Sequence, residues 1–66
     1  MVNPLRVKII LQQQFLELQN NTTNNQTNSS LDYANLSLLY YQRNERYKQG
    51  GLIQSLYYIN LAINQQ

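Results

Sequence analysis

The chain has no cysteine and no histidine, and both absences exclude a good deal of chemistry. Without cysteine there is no disulfide and no thiolate zinc site. Without histidine the commonest metal ligand and the usual general base near neutral pH are missing. Tryptophan is absent too, and there are one proline, two glycines and three carboxylates among 66 residues. Glu17, Asp32 and Glu45 are spread along the chain rather than paired. Ser29, Ser30, Ser37 and Ser55 have no imidazole to activate them, and a hydroxyl becomes a nucleophile only with a base beside it. Lys8 or Lys48 would need a desolvating pocket that so short a chain can hardly build. The expectation is a protein that is not an enzyme and uses no cofactor and no metal.

Charge is scarce as well. Five bases against three acids give a net +2, and charged residues make up 12% of the chain. Nucleic-acid binders carry dense Lys/Arg stripes, and disordered chains carry high net charge; neither pattern is present. Nor is there a run of about 20 apolar residues, the length of a bilayer span. The strongest apolar stretch, 52–63, is interrupted by Gln54, Ser55 and Asn60. No signal-peptide core stands at the start, and Arg6 and Lys8 ahead of the first acid bear a slight likeness to an organellar import segment.

What is present is amide, tyrosine and helical periodicity. Asn3-Pro4 is a helix start: the asparagine caps free amides, and proline at the first helical position loses nothing by lacking an N–H. The segment that follows, 5–19, opens with the apolar–charged alternation of a strand, Leu5 to Ile9, then abandons it. Helix is the favoured reading of the two. As a helix it carries two apolar stripes, one of Val7, Leu11, Phe15 and Leu18 and another of Leu5, Ile9 and Leu16. A helix on one core needs a single stripe. Two stripes predict burial from two directions.

Residues 20–30 contain no apolar or charged side chain and are read as a polar loop, since nothing in them offsets ordering entropy. Several N-x-S/T triplets fall in and near this tract, as any Asn/Thr run would produce. Ser29 with Asp32 resembles a capping box. A second helix is expected from about Ser30 to Lys48, stopped by Gly50-Gly51. A third covers about Leu52 to Asn64, with Leu52, Leu56, Ile59 and Ile63 on one face. The predicted fold is all-α: an N-terminal helical segment (1–19), a polar loop (20–30) and a helical hairpin (31–66). A core this small rarely supplies more than about 3–5 kcal/mol, so completion by a partner protein is expected.

On the middle helix Tyr33, Tyr40 and Tyr47 recur every seven residues and share a face with Leu36, while Leu31, Ala34, Leu38 and Tyr41 form another. One stripe is expected to pack on the last helix. The other, with Tyr57, Tyr58 and Leu61, exceeds what one hairpin covers. Tyrosine combines a large apolar face with a hydroxyl that seeks a partner. The expected partner-binding residues are therefore Val7, Leu11, Phe15, Leu18, Tyr33, Leu36, Tyr40, Tyr47, Tyr57, Tyr58 and Leu61. Arg43, Arg46 and Lys48 interleave with these aromatics as candidate phosphate or lipid contacts. The plainer account is that bases in a last helical turn meet the helix dipole.

At Leu38-Leu39-Tyr40-Tyr41, Tyr47, Ser55, Ile59 and Ala62 the hairpin resembles a single tetratricopeptide unit, over about half the chain. Ser55, Ile59 and Ala62 follow the small-x3-aromatic-x2-Ala spacing of that repeat's second helix. It departs from the pattern where Ile59 replaces the aromatic, where no glycine follows the first-helix leucine, and in a longer first helix. A lone unit of such a repeat would need neighbours to cover it.

The composition thus predicts a non-catalytic accessory or structural subunit of a large multi-protein assembly, intracellular and suited to a mitochondrial membrane complex. Two rivals come from other classes. A small homo-oligomeric regulator touching nucleic acid through Arg43, Arg46 and Lys48 predicts salt-sensitive binding. A peripheral membrane protein predicts contact with the lipid surface through Tyr57, Tyr58 and the N-terminal helix.

Overall fold

The computed structural model describes residues 2–20 and 28–65. It is all-helical: α1 spans Pro4–Asn20, α2 Asn28–Tyr47 and α3 Leu52–Asn64, with no strand among the described residues. Most of the expected polar loop, 21–27, lies outside those residues. Its last three, Asn28 to Ser30, belong to α2, and Asn20 closes α1.

Helix α1 begins where asparagine and proline place it. The Leu5 amide donates to Asn3 Oδ1 at 2.9 Å, and the Val7 amide donates to the Asn3 carbonyl at 3.0 Å. The strand-like alternation of Leu5 to Ile9 is overridden by burial at helical spacing. Val7, Leu11 and Leu18 lie on one side and are buried, chiefly against α3. Of the two predicted stripes, the chain's own core takes that one. Leu5, Ile9 and Leu16 stay 71%, 55% and 57% exposed.

Of the two predicted α2 stripes the hairpin seam takes only Ala34 as a buried member, with Tyr33 and Tyr41 packed partly buried beside it. The seam runs along Ser30, Ala34 and Ser37 of α2, against Leu52, Ser55, Ile59 and Ala62 of α3. Small side chains let two helical backbones approach closely, and each hydroxyl that enters must find an acceptor. Ser30 Oγ donates to the Ala62 carbonyl at 2.9 Å, Ser37 Oγ to the Ser55 carbonyl at 2.6 Å, and Ser55 Oγ to the Leu52 carbonyl at 2.6 Å. All three serines are fully buried, and among the described residues no buried side-chain polar atom lacks a partner. On α3 this moves the buried face slightly off the leucine pattern: Ser55 and Ala62 are buried, Leu56 and Ile63 only partly.

Two details of the helix ends differ from the sequence-based expectation. Ser29 lies inside α2 and not ahead of it, so the Ser29–Asp32 pair is no capping box. At the other end Lys48, not a glycine, takes the left-handed position after Tyr47, with φ 59° and its amide donating to the Asn44 carbonyl at 2.7 Å. Gly50 and Gly51 follow at φ 70° and 86°. Asn44 Nδ2 donates to the Gly50 carbonyl at 2.8 Å and ties the turn back to α2. Gly51 is needed twice over, because a Cβ there would stand 2.6 Å from the Tyr40 carbonyl oxygen.

Candidate interaction surface

The tyrosines of the two hairpin helices form one assembly. Tyr33 and Tyr40 are two helical turns apart, a rise of about 10.5 Å. That separation leaves room for one more ring between them, and Tyr58 of α3 occupies it. Its centroid lies 6.0 Å from Tyr33 with planes 19° apart, and 5.5 Å from Tyr40 with planes 7° apart. Tyr57 meets the edge of Tyr58 at 5.3 Å and 75°. Stacked and edge-to-face rings at such distances contribute roughly 0.5–1.5 kcal/mol per pair beyond burial. The outer edges of the ladder remain accessible: Tyr33, Tyr40 and Tyr58 are half-buried, while Tyr47 and Tyr57 are mostly exposed.

The sequence-predicted residues divide sharply. Val7, Leu11 and Leu18 are consumed by the chain's own core, with Phe15 packed half-buried beside them. These side chains hold α1 down and are not on the surface, because α3 presents an apolar flank that the spacing of α1 matches. Tyr33, Tyr40, Tyr57 and Tyr58 come together in the ladder, with Leu36 exposed and Leu61 half-buried. Tyr47 extends the series by two more turns. The apolar surface that sequence reasoning did not single out for binding is the outer stripe of α1, Leu5, Ile9 and Leu16.

The three bases do not form a cluster. Arg43 sits between Tyr40 and Tyr47 on an open groove of roughly 740 Å³, completed by Gln49, the Gly50-Gly51 turn and Gln54. Arg43 and Arg46 share a second open groove of about 650 Å³ with Leu39, Gln42 and Tyr47. Lys48 lines neither and closes the helix. No acidic side chain lines either groove. Among the described residues no group of acids could hold a metal ion, and no helix is long and apolar enough to cross a membrane.

Chemically the surface can stack flat groups and accept hydrogen bonds, with the guanidiniums of Arg43 and Arg46 available to an anion. Nothing in it combines a nucleophile with a base. Ser55, Ile59 and Ala62 are buried in the seam. No family model, curated protein or solved structure matches the chain.

Proposed function

We propose that this chain is a non-catalytic accessory subunit of a larger intracellular multi-protein assembly, docked through the tyrosine ladder. The observation that carries the reading is the ladder itself: four tyrosines from two helices joined by ring contacts, with Tyr47 further along the same face and Tyr47 and Tyr57 left mostly exposed. Rigid aromatic surface is what interface cores are made of, since little side-chain entropy is lost on binding. The outer stripe of α1 adds a second uncovered apolar face to a chain with no disulfide. Low charge, tyrosine content and the N-terminal bases suit a mitochondrial membrane complex, in which this chain would sit at the edge and not span the bilayer.

The test is native-gel electrophoresis and mass spectrometry of the tagged chain, purified from its source in mild detergent. Migration in a discrete complex far heavier than 7.8 kDa, with reproducible companions, is the expected result. Migration alone, or as a small homo-oligomer, overturns the reading and favours a self-associating regulator.

A further inference from the structure

The tyrosine ladder is one rung short. Tyr33 and Tyr40 are seven residues apart on α2 and hold the ring of Tyr58 between them. Tyr40 and Tyr47 are again seven apart, so the same rise of about 10.5 Å separates them. Because α3 runs antiparallel to α2 in the hairpin, the matching position lies seven residues before Tyr58. That residue is Gly51, the left-handed N-cap just outside α3, which has no side chain. The space is the groove lined by Tyr40, Arg43, Tyr47, Gln49 and Gln54. Gly51 is fixed by its own geometry, φ 86° and the close approach to the Tyr40 carbonyl, so the chain cannot supply the missing ring itself.

We infer that the gap between Tyr40 and Tyr47 is a binding slot for a tyrosine or phenylalanine side chain of a partner protein, flanked in that partner by a carboxylate. This rests on the reading of the chain as an accessory subunit. The ring is specified by the chain's own example: the equivalent gap is filled by a tyrosine carried on a helix. The carboxylate is specified by charge. Arg43 stands between the two tyrosines, no acid lines the groove, and the guanidinium forms paired hydrogen bonds with a carboxylate. A single-stranded nucleic acid would offer rings and anions too. The polypeptide is preferred because nucleic-acid binding draws on several phosphate contacts, and only Arg43 among the bases lines the slot.

Two measurements test it. In the first, the full isotope-labelled chain is titrated with the capped dipeptide acetyl-Tyr-Glu-amide and followed by NMR. Shifts confined to Arg43, Tyr47, Gly51 and Gln54, absent for Tyr47→Ala and about tenfold weaker for acetyl-Leu-Glu-amide and for Arg43→Gln, are expected. Tyr47 and Arg43 are exposed, so neither change threatens the fold. No shift at millimolar peptide, or tighter binding of adenosine monophosphate than of the peptide, overturns the slot. In the second, a photo-crosslinking amino acid replaces Gln54 in the tagged chain within its native assembly. A crosslink to a segment holding a Tyr or Phe within four residues of an Asp or Glu supports the inference. Crosslinks to segments without that pair sink it while leaving the accessory-subunit reading intact, and absence of any assembly sinks that reading while the peptide titration still judges the slot.

Discussion

The two interfaces of this small fold are built on opposite principles. Helices α2 and α3 meet through serine and alanine, with hydroxyls donating across or along the seam to carbonyls of α3. Helix α1 meets α3 through aliphatic side chains, Val7, Leu11 and Leu18, and makes much less contact with the rest of the chain. The serine seam is short-range, directional and joined by a tight turn, so it specifies one register. The aliphatic seam is joined to the hairpin through residues 21–27 and rests on buried apolar area. Polar atoms fix geometry, and apolar area supplies most of the free energy.

The largest expected effect comes from the residue both interfaces share. Ile59 is fully buried among the core residues of α1 and α2. Ile59→Ala should cost about 2–5 kcal/mol through lost burial and the cavity left behind. A chain of this size has roughly 3–5 kcal/mol in total, so the variant should be largely unfolded by circular dichroism at 25 °C. Leu11→Ala removes similar area from the α1 seam alone. Hydrogen exchange should then show α1 losing protection while α2 and α3 keep theirs. Equal loss in all three helices would mean the two interfaces are one cooperative unit.

Next in size is the turn that closes the serine seam. Gly50 and Gly51 both sit at positive φ, but only Gly51 has a backbone carbonyl in the path of a Cβ. Gly50→Ala should cost about 1 kcal/mol, the penalty of the left-handed conformation. Gly51→Ala must in addition push α3 away from Tyr40, so its urea midpoint should fall at least twice as far. Similar midpoints for the two variants would show that the α2–α3 approach is softer than its geometry implies.

Smaller still is a single hydroxyl of the seam. Ser37→Ala removes the donor to the Ser55 carbonyl without adding volume, at a cost of about 1 kcal/mol. Ser37→Leu keeps the side chain apolar but overfills the seam, costing roughly 1–3 kcal/mol or more. If leucine were the milder change, the seam would depend on area and not on close approach, and the contrast with α1 would disappear.

The parts of this fold that were legible in the sequence are those written in local chemistry. Asn3-Pro4 names the start of α1, and the two glycines name the hairpin turn. The seven-residue spacing of Tyr33, Tyr40 and Tyr47 together with Tyr57 and Tyr58 marks the aromatic face. The serine seam was hidden because a serine in a helix reads as polar surface. Only a carbonyl from another helix, positioned by the fold, turns Ser30 and Ser37 into core residues. For the same reason the stripes of α1 could be seen but not assigned: which of Val7–Leu11–Leu18 or Leu5–Ile9–Leu16 turns inward depends on the approach of α3. Lys48 in the left-handed position was masked by the nearby glycines, which are better suited to it. Asn44, which ties the turn to α2, carried no signal of its own.

The subtlest effect separates the seam from its border. Tyr41 packs half-buried against the core on the α2 side of the hairpin. Its hydroxyl is pushed above the ordinary tyrosine value, first by burial and second by the nearby Glu45 carboxylate one turn on. Both disfavour the phenolate in the folded chain. Below about pH 10 the group is protonated folded and unfolded alike, and it leaves stability unchanged. Above that value the unfolded chain releases the proton first, so stability falls as pH rises toward the raised folded value. Tyr41→Phe should remove this slope while leaving stability between pH 6 and 9 little altered, as urea midpoints at pH 7 and pH 10.5 would show. Glu45→Gln should weaken the slope without abolishing it, because burial is the larger cause. A slope unchanged in Tyr41→Phe would show that burial of this hydroxyl at the border of the seam does not set the alkaline stability of the hairpin.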